Sequence, residues 1–137
     1  MRIAFALVAW LFLLAIVVQV FLAGVGLFVP GLDMFAAHRQ LGWLLHGGPV
    51  LVLLAAAVAG AGRTTMWLSV ALLVLVGFQP FLPTMRADLP WIAALHPVNA
   101  LAIFGLAITI AMRSVALLRQ PRVSPAASVE LIENTAG

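Results

Sequence analysis

Residues 3–29, IAFALVAWLFLLAIVVQVFLAGVGLFV, carry no charge, and Gln19 is their one strongly polar side chain. A helix needs roughly 20 such residues to cross the hydrocarbon core of a bilayer. This run from Ile3 to Val29 reads as the first transmembrane helix, stopped by Pro30-Gly31. Met1-Arg2 ahead of it imitates the start of a signal peptide. The apolar run far exceeds the roughly 7–15 residues of a signal-peptide core, and no clean small-residue cleavage site follows, so it reads as a retained span.

Three further runs follow. The second extends from about Met34 to Gly62, with Asp33 as a candidate N-cap and Gly60-Ala61-Gly62 at its end. The third covers about Thr65–Leu82 and stops at Pro83, and the fourth about Leu89–Met112, with Asp88 as candidate N-cap and Pro90 in its first turn. Short connections make neighbouring spans antiparallel. The expected fold is all-α: a polytopic four-helix bundle over residues 1–119, up-down-up-down, with a disordered cytoplasmic tail over 120–137.

Composition agrees. The 137 residues are 65% hydrophobic and 8% charged, with a mean hydropathy of +1.21. That is too little charge to cover a water-facing surface. A net charge of +3 without a basic, aromatic-interleaved patch gives no sign of nucleic-acid binding. The absence of cysteine excludes disulfides, thiolate metal sites and covalent haem attachment. Arg2, Arg63, Arg113, Arg119 and Arg122 fall at one end of the bundle, and Arg39 and Arg86 at the other. The excess places the first end, with both termini, in the cytoplasm of a cell membrane.

The chain also looks internally duplicated as two helical hairpins. Gln19-Val20-Phe21-Leu22 in the first half is matched by Gln79-Pro80-Phe81-Leu82 in the second. A proline-containing turn, an aspartate (Asp33, Asp88) and a helix carrying a histidine (His38, His96) follow each. Two such hairpins are related by an axis along the membrane normal.

Polar groups are costly in hydrocarbon and turn to a bundle interior or cavity. The intramembrane set is Gln19, His38, His46, Gln79, His96 and Asn99. Counted from Asp33 and Asp88, His38 lies about 7.5 Å and His96 about 12 Å along their helices. Two imidazoles at similar depth suit one metal centre, and haem b held by His38 and His96 fits best, since neutral imidazole is a common axial ligand. Arg39 and Arg86 stand at the outer end, where propionates would emerge, and glycines 24, 26, 42, 47 and 48 offer room. His46, about 12 Å deeper than His38 on the same helix, is an alternative ligand, a hydrogen-bond donor to a ligand or a quinone contact.

Plainer roles compete. His38 beside Arg39 suits an interfacial anchor, while His46 and His96 each adjoin proline-disturbed backbone whose carbonyls need donors. Gln19 and Gln79 suit interhelical hydrogen bonding. A cofactor-free accessory subunit of a larger membrane complex and a small oligomeric transporter are the competing function classes. The inner halves of helices 1, 3 and 4 offer few polar groups for a transport path. No catalytic triad, intramembrane carboxylate pair or phosphate loop favours enzyme chemistry.

Gln19-Val20-Phe21-Leu22, His38-Arg39 and Trp91-Ile92-Ala93-Ala94-Leu95-His96 resemble one half of the haem A synthase family. The chain is also similar to small four-helix bacterial membrane proteins without assigned function. The first resemblance, over roughly residues 15–112, implies a four-helix bundle with haem-ligand histidines at His38 and His96. Three residues before His38, where the catalytic half of that family has glutamate, stands Phe35. The resemblance therefore implies haem b binding rather than haem A synthesis; the function expected for such a bis-histidine haem protein is electron transfer or haem handling, with a quinone or a redox protein as partner.

Overall fold

The computed structural model describes residues 1–121. They form seven helical pieces: α1 (Arg2–Phe28), α2 (Met34–Leu45), α3 (Gly48–Val58), α4 (Gly62–Phe78), α5 (Phe81–Thr84), α6 (Pro90–Ala93) and α7 (Leu95–Arg119). These join into four helices long and apolar enough to cross a membrane: Arg2–Phe28, Met34–Val58, Gly62–Thr84 and Pro90–Arg119. The architecture is the expected all-α bundle. Residues 122–137, which hold most of the expected tail, lie outside the described residues.

Proline explains the breaks. It removes the amide that would bond the carbonyl four residues earlier. Span 1 has no internal proline and is unbroken. Span 2 breaks at His46-Gly47 ahead of Pro49, where the His46 amide moves to Trp43 O at 3.3 Å. Span 3 breaks at Gln79-Pro80, and span 4 at Ala94, three residues before Pro97.

Several expected boundaries shift. Span 2 ends at Val58, because Gly60 and Gly62 take the left-handed φ values of 66° and 79° that turn the chain into span 3. Pro83 does not stop span 3. It sits inside the single turn α5, after the break at Gln79-Pro80. Span 4 continues to Arg119 rather than ending near Met112, since nothing in Arg113–Leu118 breaks a helix. Asp33 caps α2, accepting from the Ala36 amide at 3.2 Å. Asp88 does not cap the last span. Leu89 occupies the N-cap position, without a side-chain hydrogen bond, and Pro90 enters the first turn as expected.

The spans form a ring. Span 1 packs on spans 2 and 4, and span 3 on the same two. Spans 2 and 4 therefore stand diagonally opposed. The closed apolar core lies toward the termini, built from Phe5, Ala9, Phe12 and Ile16 of α1, Val52 and Ala56 of α3, Leu72 and Val76 of α4, and Ile103, Ala107 and Ile110 of α7. At the opposite end, α2, α5 and α6 contribute no fully buried side chain. The bundle is tight at the termini end and open-packed at the end that carries His38 and His96.

Candidate functional site

Two copies of one hydrogen-bonded clasp organise the outer half. In the first, Gln19 Nε2 donates to His38 O at 2.7 Å and His38 Nδ1 meets Gln19 O at 3.0 Å. In the second, Gln79 Nε2 donates to His96 O at 3.0 Å and His96 Nδ1 meets Gln79 O at 3.1 Å. Each clasp ties a glutamine and a histidine of adjacent antiparallel helices through both side chains and both carbonyls. The sequence repeat is thus a structural repeat.

The clasp fixes the imidazole tautomer. A carbonyl oxygen only accepts, so each Nδ1 carries the proton and donates it. In the neutral ring Nε2 then holds the lone pair. Metal-binding histidines commonly show this arrangement, with the second ring nitrogen donating to a backbone carbonyl. Gln79 O is available because the residue four ahead is Pro83, which has no amide hydrogen. The carbonyl that His96 engages is therefore one freed by Pro83 in the neighbouring span, not one freed by the adjacent Pro97 as expected, and it orients the ring.

The two half-buried rings meet across the bundle diagonal. Their centroids are 6.3 Å apart, with planes at 68°. Two imidazoles on opposite sides of one metal, at metal–nitrogen distances near 2 Å, would hold their centroids roughly 6 Å apart. His38 also packs edge-on against Phe35, at a centroid distance of 6.5 Å. Among the described residues no group of three or more His, Cys, Asp or Glu side chains could hold a metal. A metal at this place would have two protein ligands and take the rest from elsewhere.

The clasps differ in one respect. Asn99 Nδ2 donates to Gln79 Oε1 at 2.6 Å and to Leu75 O at 2.9 Å, completing the second clasp. Three residues after His38 the first half has Leu41, and Gln19 Oε1 is buried with no partner. Asn99 was identifiable in the sequence as an intramembrane polar residue, but its joining of the second clasp was not.

His46 lies apart from this pair. Its Nδ1 meets Gly42 O at 2.7 Å, a carbonyl left free where the His46 amide bonds three residues back instead of four. Its Nε2 is buried without a partner, and its ring tilts against Trp43. Arg39 and Arg86 are exposed at the outer end.

The glycines correct one expectation. A Cβ on Gly26 or Gly42 would meet Phe35 or Gln19 Nε2 at 2.9 Å, and one on Gly48 would run into the Phe12 ring. These glycines admit neighbouring side chains rather than opening a slot. Only Gly24, with nothing within 4 Å, and Gly47 remain open. The inner half is also less apolar than its sequence suggests, since Thr65, Ser69 and Ser114 are fully buried there. Among the described residues, buried Leu72, Val76, Ile103 and Ala107 separate them from the clasps.

Residues 19–85, just under half of the chain, match the model of a family of unknown function, DUF6220. The match begins at Gln19 and spans His38, His46 and Gln79, ending before His96. No curated protein and no solved structure matches the chain.

Proposed function

We propose that this is a multi-pass membrane protein that binds haem b between His38 and His96, for electron transfer or haem handling. One observation carries the reading: two clasped imidazoles from diagonal helices, each with Nδ1 committed to a carbonyl, lie edge to face with ring centroids 6.3 Å apart. With Nδ1 occupied, the Nε2 lone pairs of His38 and His96 are the atoms that would hold the haem iron. The open packing of the outer half suits a flat apolar ring, which would add the buried contacts that this half has fewest of. Haem b, when bound, supplies a one-electron couple. The protein's part is to fix both rings through Gln19 and Gln79, and to present Arg39 and Arg86 to carboxylates at the outer surface. The resemblance to one half of haem A synthase points the same way.

The second reading is a cofactor-free accessory subunit. It is favoured by the filled positions beside Gly26, Gly42 and Gly48 and by glutamine–histidine bonds that form in both clasps without any ligand at Nε2. The absorption spectrum of protein purified from haem-replete cells separates the two. A reduced α-band that disappears in His38→Ala and in His96→Ala, and persists in His46→Ala, is expected. A wild-type protein without that band would leave the accessory-subunit reading in place.

A further inference from the structure

The termini end of the bundle carries Arg2, Arg63, Arg113 and Arg119 among the described residues, while their two acids, Asp33 and Asp88, lie at the opposite end. Backbone carbonyls engage Arg2, whose Nη1 donates to Leu117 O at 3.1 Å and Gln120 O at 2.8 Å. Arg113 is held differently. Its Nε donates to Thr65 Oγ1 at 2.8 Å, and Thr65 is 1% exposed. This bond links α7 to the first turn of α4 and fixes the base of the guanidinium. Neither terminal nitrogen has a hydrogen-bond partner among the described residues, and the side chain is exposed. Beside it, a shallow depression is lined by Ile108, Thr109, Met112, Arg113 and Ala116.

Depth selects the anion. The last span has 30 residues, a length of about 45 Å, which matches a bilayer of about 40–45 Å including its headgroups. Arg113 lies six residues from its end, about 9 Å in, near the boundary between headgroups and acyl chains. A cation there, next to an apolar depression on the lipid-facing side of α7, faces a headgroup phosphate on one side and acyl chain on the other.

We infer that Arg113, anchored through Nε by Thr65, forms a binding site for the phosphate of an anionic phospholipid, whose acyl chain lies along Ile108, Met112 and Ala116. The inference rests on the membrane-spanning reading of the four helices but not on haem. The uncommitted terminal nitrogens form a planar fork suited to two phosphate oxygens. Two arginines not so anchored, Arg63 and Arg119, contribute only to the general positive potential.

The test is native mass spectrometry of the full chain in nonionic detergent with equimolar phosphatidylglycerol and phosphatidylcholine. Wild type is expected to retain phosphatidylglycerol about fivefold better, the factor one arginine contributes near an anionic surface. Arg113→Gln removes the preference and Thr65→Val reduces it, while Arg63→Gln and Arg119→Gln keep it. Circular dichroism confirms that each variant is folded, and Arg113→Lys, which keeps the charge without the fork, should fall between wild type and Arg113→Gln. Equal retention of the two lipids by wild type, or an undiminished preference in Arg113→Gln, would overturn the site. So would full displacement of the lipid by millimolar inorganic phosphate.

Discussion

At the residue scale, the two clasps offer an internal comparison. Gln79 makes bonds through both ends of its amide, to His96 O and from Asn99, whereas Gln19 uses only Nε2 and buries an unpaired Oε1. Replacing Gln79 by Leu therefore removes two bonds, and Gln19→Leu removes one bond together with one unsatisfied acceptor. Interhelical hydrogen bonds in membranes average roughly 0.6 kcal/mol and reach about 1.7. Gln79→Leu is expected to cost about 1–2 kcal/mol in a reversible detergent-unfolding titration, and Gln19→Leu under about 0.5 kcal/mol. Leu41→Asn, which supplies in the first half what Asn99 supplies in the second, should be neutral or stabilising by about 0.5 kcal/mol if the amide reaches Gln19 Oε1. Equal losses in the two glutamine variants would contradict this account. The pairing of Gln19 with His38 and Gln79 with His96 was visible as a spacing repeat. The use of both carbonyls was not, because it depends on helix rotation that spacing does not specify.

At the element scale, the hairpin of spans 1 and 2 depends on close approach. Gly48 lies against the Phe12 ring, so a methyl group there displaces an aromatic side chain within the closed core. Gly48→Ala should destabilise by about 1–3 kcal/mol, the usual cost of overpacking. Gly42→Ala meets only the end of the flexible Gln19 side chain. It should weaken the first clasp while costing little stability and, on the proposed haem reading, lower affinity at the His38–His96 pair. Gly24→Ala, with nothing within 4 Å, should be silent in both assays. The measurements are unfolding titration and the strength of any reduced α-band. The sequence contained the signals for the helix breaks in Pro49 and Pro97, while the expected stop at Pro83 gave way to an earlier break at Gln79-Pro80. It was misleading at Asp88, because Leu89-Pro90 starts the helix one residue later and takes the cap position without any side-chain bond.

At the scale of the whole molecule, an even number of spans puts residues 1, 60 and 120 at one end and residues 31 and 87 at the other. The chain has no cysteine, so single cysteines at these places report topology directly. An impermeant maleimide should label the first three from one face of a sealed vesicle and the last two from the opposite face. Labelling of residues 1 and 120 from opposite faces would refute the four-span arrangement. The arginine distribution further predicts that the face bearing residues 1, 60 and 120 is cytoplasmic. Arg2 joins the start of α1 to the end of α7 at that face, and Arg2→Ala should lower stability by about 1 kcal/mol in the same unfolding titration.

The number of spans, their approximate limits and the residues eligible for a site follow from sequence alone. Long uncharged runs have no alternative to spanning hydrocarbon, and each polar residue within them is conspicuous. Which way those residues turn was decided only by tertiary packing. Helices that are apolar all round carry little periodic signal to mark an inward face. The ring order, with spans 2 and 4 on a diagonal, brings the imidazoles of His38 and His96 within 6.3 Å, and the same packing buries Thr65 beneath Arg113.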